Sequence, residues 1–142
     1  VPRAMERSQW REDWRAPEQW LGELEARLQA AEAPVRRGSD YDRWDLQTWR
    51  GALGAARVRL CLEEHGAGRQ LARWRLWPRA SAAALAVAAL LGVLALGAAM
   101  DDAWTASAVL GTACALLVWR VAADCGAALA TVARALGTSR RA

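Results

Sequence analysis

Residues 80–100 read ASAAALAVAALLGVLALGAAM, and this uncharged stretch decides the fold. Asp101 and Asp102 follow it, and residues 103–119 then form a second uncharged stretch, AWTASAVLGTACALLVW. A helix needs about 20 apolar residues to cross the roughly 30 Å hydrocarbon core of a bilayer. The first stretch has that length, and the second reaches it where the helix continues past Arg120, whose side chain can extend to the headgroups. The pattern predicts a transmembrane helical hairpin over residues 80–123, with helices at 80–100 and 103–123 and the two aspartates at its tip.

Composition points to a bacterial membrane protein. Lysine, asparagine, isoleucine and phenylalanine are absent, which is typical of a GC-rich bacterial genome, and the net charge is only +4. Acidic residues are mixed among the arginines, so the chain lacks the basic stripe of a nucleic-acid binder. We therefore predict a location in the bacterial cytoplasmic (inner) membrane and no nucleic-acid partner.

Residues 1–79 are polar and predict a small cytosolic α+β domain. Trp10 and Trp14 have the i, i+4 spacing of a short helix. Pro17 suits a first helical turn, and apolar residues recur at helical spacing behind it, which predicts an amphipathic helix over residues 17–33. Residues 35–43 read as a loop. Alternating apolar residues then predict an antiparallel meander with strands at 44–50, 55–65 and 69–77, the last ended by Pro78. We expect the helix to cover the apolar face of this three-stranded sheet.

Residues 124–142 are predicted to form a cytosolic or interfacial helix and tail. Arginines flank the hairpin on both sides and acids occupy its tip, so the positive-inside rule places both termini in the cytoplasm. The flanking arginines are Arg73, Arg75, Arg79, Arg120, Arg134, Arg140 and Arg141. Trp77, Trp104, Trp119 and Arg120 are the candidate membrane-interface anchors.

No residue pattern predicts a catalytic, cofactor or metal site. Asp40 and Asp42 match a D-x-D motif, but two aspartates in a loop are common. His65 is the only histidine and lies at a predicted turn without a nucleophile beside it. The three cysteines lack the spacing of a disulfide framework or a zinc site. We expect no cofactor. An enzymatic role through His65, Asp40 and Asp42 is the least favoured of three possible functions, and the other two are a membrane-anchored accessory domain and a structural subunit.

Arginines on the predicted strands give the clearest functional hint. Arg57 and Arg59 on one strand and Arg73 and Arg75 on the next share the polar face of the meander. Guanidinium groups bind phosphates bidentately, and beside a membrane these groups suit an anionic lipid or a lipid-linked phosphate. The candidate contact residues are Arg57, Arg59, Arg73, Arg75 and Arg79. The alternative is ordinary pairing with Asp45, Glu63 and Glu64 on a solvated face.

The meander and its entry into the membrane resemble a known segment. The resemblance rests on Arg43-Trp44-Asp45-Leu46, Arg50-Gly51, Gly54, Glu63-Glu64-His65-Gly66-Ala67-Gly68-Arg69-Gln70 and Arg73-Trp74-Arg75-Leu76-Trp77-Pro78-Arg79. Over residues 18–136 the chain resembles the C-terminal membrane-proximal segment of some bacterial family 2 glycosyltransferases and related polysaccharide-synthesis membrane proteins. In those proteins a meander likewise precedes two hydrophobic helices. The chain has no counterpart of their nucleotide-sugar-binding domain, so no transferase residue carries over.

Two functions follow as expectations. In the first, the chain is a non-catalytic membrane-anchored accessory domain associated with bacterial polysaccharide synthesis or export. In the second, it is a small structural subunit at the periphery of a larger photosynthetic or respiratory membrane complex. Nine tryptophans and a marginal soluble domain suit such a subunit. Both readings imply other membrane protein subunits as partners, and the first adds anionic lipid.

Overall fold

Five strands and three helices make up residues 4–137, the part of the chain that this computed structural model describes. In chain order they are β1 (Met5–Arg11), α1 (Pro17–Ala30), β2 (Val35–Arg37), β3 (Leu46–Trp49), β4 (Gly54–Glu64), β5 (Gln70–Ala80), α2 (Ala82–Met100) and α3 (Trp104–Gly137). The strands form one antiparallel sheet in the order β1-β5-β4-β3-β2. The predicted α+β class with two long apolar helices is confirmed, and the predicted meander is present as β3, β4 and β5. The predicted tail, with Arg140 and Arg141, lies outside the described residues.

The N-terminal segment corrects a prediction. The short helix expected around Trp10 and Trp14 is instead the strand β1, which pairs with β5 from Met5 opposite Leu76 onward. Trp10 lies in this strand and Trp14 lies beyond its end. Residues 5–11 are extended because their backbone forms hydrogen bonds with the edge of β5. The spacing of Trp10 and Trp14 could not predict this pairing, because it reflects only the local sequence.

The sheet also extends further than the meander at two other places. Val35–Arg37, expected as part of a loop, forms the edge strand β2 against β3. Pro78, expected to end the third strand, lies inside β5, which continues to Ala80. Since β1 pairs with β5 only as far as Leu76, Pro78 occupies a stretch where β5 has lost one neighbour, and an edge position tolerates proline.

One face of the sheet is covered by α1 together with the second half of α3. The shared core includes Trp20, Leu24 and Leu28 of α1, Leu129, Val132 and Leu136 of α3, and Val58, Trp74 and Leu76 of the sheet. The helix predicted at the start of residues 124–142 is the second half of α3, which packs on the sheet, and its cytosolic or interfacial location stays a prediction. An apolar stripe at helical period needs an apolar surface to cover, and the sheet offers one that α1 leaves partly open.

The hairpin consists of α2 and the first half of α3, and both helices are long and apolar enough to cross a membrane by length and composition. Their contact is made by small residues. Ala84 and Ala88 are buried, and the Cys114 thiol donates a hydrogen bond to the Ala88 carbonyl oxygen at 3.2 Å. A Cβ atom at Gly92 would lie 3.9 Å from the Cys114 sulfur, which shows how closely the backbones approach.

The hairpin joins the domain with almost no linker. Ser81 is the single residue between β5 and α2, and its backbone N–H donates to the Leu53 carbonyl oxygen at 2.9 Å. On the other side, the helix predicted to continue past Trp119 does so without a break to Gly137. The hairpin and the sheet are therefore held together at both chain crossings.

Candidate functional site

The strand register places the predicted arginines on the face of the sheet that the helices leave open. Arg59 lies opposite Arg75 across the β4–β5 ladder, and Arg57 lies opposite Trp77. Side chains alternate between faces along a strand, so Arg73 and Arg79 point to the same side as Arg75. We call this surface, with Arg57, Arg59, Arg73, Arg75 and Arg79, the arginine face.

Two members of the arginine face are paired with carboxylates. Arg73 Nε lies 3.2 Å from a Glu63 carboxylate oxygen, and Arg75 Nε lies 3.4 Å from a Glu6 carboxylate oxygen. Exposed pairs of this kind add little stability, yet they cancel the local charge. Of the alternative partners expected from the sequence, only Glu63 pairs with the face, and Glu6 joins it because β1 is a strand.

The other two expected acids serve different roles. Asp45 accepts a hydrogen bond from the Leu60 backbone N–H at 2.6 Å. Glu64 accepts one from the indole N–H of Trp14 at 3.1 Å. Neither forms an ion pair with the arginine face within the described residues, so the charge of its remaining members is not cancelled by them.

Of the three remaining members, Arg59 lies opposite Arg75 in the β4–β5 ladder, and Arg57 and Arg79 lie at the end of the face nearest the hairpin. A groove of about 440 Å³ opens there between β2, the β3–β4 turn and the start of α2. Its polar and aromatic lining comprises Arg36, Asp42, Trp44, Trp49, Arg57 and Arg79. We call this the membrane-end groove. Arg36 was not a candidate in the sequence, because a three-residue strand shows no periodicity that would place its side chains.

Arg57 is the best-held side chain of the groove. Its Nε donates to the Gln47 amide oxygen at 2.9 Å, and its guanidinium carbon lies 4.8 Å from the centre of the Trp44 ring. Burial lowers the pKa of the Arg57 guanidinium, and the positive charge of Arg79 lowers it further, while Asp42 acts in the opposite direction. Two like charges thus converge on one side of the groove.

Asp42 supplies the acidic side chain of the groove. Its carboxylate accepts hydrogen bonds from the backbone N–H and the hydroxyl of Ser39, both at 2.9 Å. These bonds hold the pKa of Asp42 below its usual value, with smaller contributions from Arg36 and Arg57. The Asp42 carboxylate is thereby held within its own loop. The second aspartate of the D-x-D motif stabilises the loop conformation through these hydrogen bonds.

His65 lies at the exposed turn between β4 and β5. Its Nδ1 is 3.3 Å from the Glu63 carbonyl oxygen, and its ring meets the Trp10 ring edge-on at a centroid distance of 5.2 Å. Asp40, the other residue of the least favoured enzymatic reading, is exposed in the loop before β3. The structure therefore does not bring His65 and the aspartates into one site.

The expected interface anchors differ in their surroundings. Trp104 and Trp119 are 67 % and 73 % exposed on the first half of α3, about 22 Å apart along the helix, and Arg120 follows as an exposed side chain. Trp77 instead lies half-buried on the arginine face opposite Arg57. Trp104 and Trp119 are thus exposed on the hairpin, whereas Trp77 packs within the sheet, and the role of all three as interface anchors stays a prediction.

Asp124 is a buried residue whose structural role the sequence showed only in part. The expected i, i+4 pair is present, with Arg120 Nε 3.4 Å from a carboxylate oxygen. A second contact is long-range, since the Leu53 backbone N–H donates to the Asp124 carboxylate at 3.2 Å. Asp124 thus links α3 to the β3–β4 turn beside the groove.

Comparisons of this chain with protein-family models, with curated proteins and with solved structures give no match. What the geometry defines is therefore a class: an antiparallel α+β domain fused to a two-helix hairpin of membrane-spanning length and hydropathy. The resemblance to a glycosyltransferase segment stays a prediction.

Proposed function

We propose that the chain is a non-catalytic membrane-anchored accessory protein whose domain holds a partner at a fixed height above the bilayer. The observation that carries this proposal is the rigid joint between hairpin and sheet. α3 belongs to both, and one residue separates β5 from α2. Because no flexible linker intervenes, the domain cannot swing away from the membrane.

The partner on the membrane side is another membrane protein subunit. α2 and the first half of α3 bury mainly small residues against each other, and many of their large apolar side chains are exposed. These include Leu85, Leu90, Val93, Leu96, Val109 and Leu116. Lipid covers such a surface, and so does a neighbouring transmembrane helix, for which van der Waals packing supplies the attraction.

The biological setting of this proposal is bacterial polysaccharide synthesis or export at the inner membrane, with both termini in the cytoplasm. The resemblance of residues 18–136 to the glycosyltransferase segment supports the setting. The arginines before α2 and after the membrane half of α3, against two aspartates at the tip, support the orientation.

A second candidate is a small structural subunit at the periphery of a photosynthetic or respiratory complex. Tryptophan is enriched at protein interfaces. Four of the nine tryptophans, Trp10, Trp14, Trp104 and Trp119, are at least half exposed. These side chains give a subunit contact points both at the hairpin and on the domain.

Photo-crosslinking in native membranes separates the two candidates. A crosslinking amino acid replaces Leu90 or Leu96, which are exposed, and in a matched control replaces Leu117, which is half-buried. A glycosyltransferase or polysaccharide exporter joined at the exposed positions but not at the control supports the first function. Subunits of a redox complex support the second. If no protein is crosslinked at Leu90 or at Leu96, both candidate functions are refuted.

A further inference from the structure

Under the proposed membrane anchoring, the membrane-end groove lies at the height of the lipid headgroups. Its lining passes from Arg79 through Ser81 to Ala82, the first residue of α2. α2 has 19 residues, which extend about 28 Å and so span nearly the whole hydrocarbon core when they start at its edge. Arg79 then stands in the layer where the phosphates of a bilayer lie.

The charges of the groove favour an anion. Arg36, Arg57 and Arg79 oppose a single lining carboxylate, that of Asp42, which the Ser39 hydrogen bonds hold in its loop. No ion pair within the described residues joins Arg36, Arg57 or Arg79 to a carboxylate. Burial and mutual repulsion disfavour the charged state of Arg57, as its lowered pKa records. A bound anion relieves that repulsion.

The rest of the arginine face provides the contrast. Arg73 and Arg75 lie on the same strand as Arg79, but Glu63 and Glu6 neutralise them. Arg59, opposite Arg75, is the one member of the face outside the groove for which the described residues show no ion pair, whereas the groove brings Arg36, Arg57 and Arg79 together. A planar guanidinium presents two parallel N–H donors to a phosphate, and Trp44 holds Arg57 by a cation–π contact that keeps its position fixed.

We propose that the membrane-end groove binds the phosphate group of an anionic lipid headgroup, held by Arg57 and Arg79 with Arg36 as a third guanidinium of the lining. This assignment rests on the proposed membrane anchoring. Of the five candidate arginines it retains Arg57 and Arg79, and it adds Arg36 from the groove lining. It favours lipid over soluble phosphate because the groove opens where α2 enters the hydrocarbon layer. The cytoplasmic leaflet is also the one that carries a negative surface potential.

The test compares two double variants of the full chain with the same loss of charge on the same face. Arg57→Gln with Arg79→Gln removes the groove pair, and Arg73→Gln with Arg75→Gln is the matched control. Each protein is reconstituted in phosphatidylcholine nanodiscs with a small fraction of phosphatidylglycerol, and native mass spectrometry counts retained phosphatidylglycerol. We expect the groove variant to bind it roughly tenfold more weakly and the control to stay within about twofold of the unmodified chain.

An equal loss of phosphatidylglycerol binding in the two double variants would overturn the proposal. That result would mean that the lipid is attracted by the overall positive charge of the face and not by a specific site. Equal retention of phosphatidylglycerol and phosphatidylcholine by the unmodified chain would also overturn it. Inorganic phosphate that binds the groove in the absence of phosphatidylglycerol binding would refute the lipid source. If the groove variant keeps phosphatidylglycerol but loses a captured protein, the groove binds an acidic partner segment instead. Insertion into the nanodisc and crosslinking through Leu90 are scored separately, so a failed lipid site leaves the proposed anchoring function intact.

Discussion

Replacement of Gly54 by alanine tests the joint between α3 and the sheet. A Cβ atom at this position would lie 2.5 Å from the Cys125 backbone nitrogen and 2.8 Å from the Cys125 sulfur. Carbon contacts are favourable near 3.5 Å, so α3 must retreat by roughly 1 Å or the strand must bend. Because the nearest obstacle is helix backbone, no side-chain rotation relieves the clash.

The expected cost follows from that geometry. Overpacking of a close contact typically costs about 1–3 kcal/mol in the free energy of unfolding. Gly126→Ala is the matched control, because it lies in α3 just beyond Cys125 and its Cβ would meet nothing within 4 Å. Alanine is preferred over glycine inside a helix by up to about 1 kcal/mol, so the control should be neutral or slightly stabilised. The two substitutions therefore differ by about 1–4 kcal/mol in expected effect.

Thermal unfolding of the detergent-purified chain, followed by tryptophan fluorescence, measures the difference. For a chain of this size about 1 kcal/mol corresponds to roughly 4 °C in the unfolding midpoint, so Gly54→Ala should melt several degrees below the control. Coincident melting of the two variants would refute the close approach of β4 and α3. Loss of binding in the membrane-end groove is expected to accompany the destabilisation, since Gly54 lines it.

Three further outcomes are expected. Ala88→Leu should destabilise the hairpin by about 1–3 kcal/mol because the side chain is buried against α3, whereas Ala89→Leu on the exposed side should have little effect in the same melting assay. The stabilisation that Asp42 gives its loop should be complete above the unfolded pKa near 3.8 and disappear as the pH falls through the lower folded value; in a carboxyl NMR titration Ser39→Ala should raise the Asp42 pKa towards 3.8, and an unchanged Asp42 pKa in that variant would refute the hydrogen-bonded loop. In intact cells an impermeant maleimide should label the Asp102→Cys variant at the hairpin tip, whereas the exposed native Cys61 should be labelled only after the membrane is permeabilised. The reverse pattern would show that the orientation is opposite to the one proposed.

The sequence predicted elements whose periodicity is local. α1 follows from its apolar spacing behind Pro17, and β4 and β5 follow from the alternation that also puts Arg57 and Arg75 on one face. β1 was missed because MERSQWR is polar on both faces, so its conformation depends on the open edge of β5 and not on its own pattern.

The sequence predicted that Arg57, Arg59, Arg73 and Arg75 share one face of the sheet, but not which of them form ion pairs. Which arginines remain uncancelled depends on Glu6, and that residue reaches Arg75 only through the β1–β5 register. Arg36 joins Arg57 and Arg79 because β2 returns to the sheet beside β3. Both facts are long-range, since they join positions that lie far apart in the chain, and no periodicity within a single segment encodes them.

The continuity of α3 has a mechanical consequence. Its 34 residues form a rod about 51 Å long that no proline interrupts, with one half in the apolar hairpin and the other packed on the sheet. A tilt of about 10°, which a helix adopts to match a thinner bilayer, displaces one end of such a rod relative to the other by roughly 9 Å. In the proposed membrane setting, bilayer thickness would thereby set the angle at which the arginine-lined groove meets the headgroup layer.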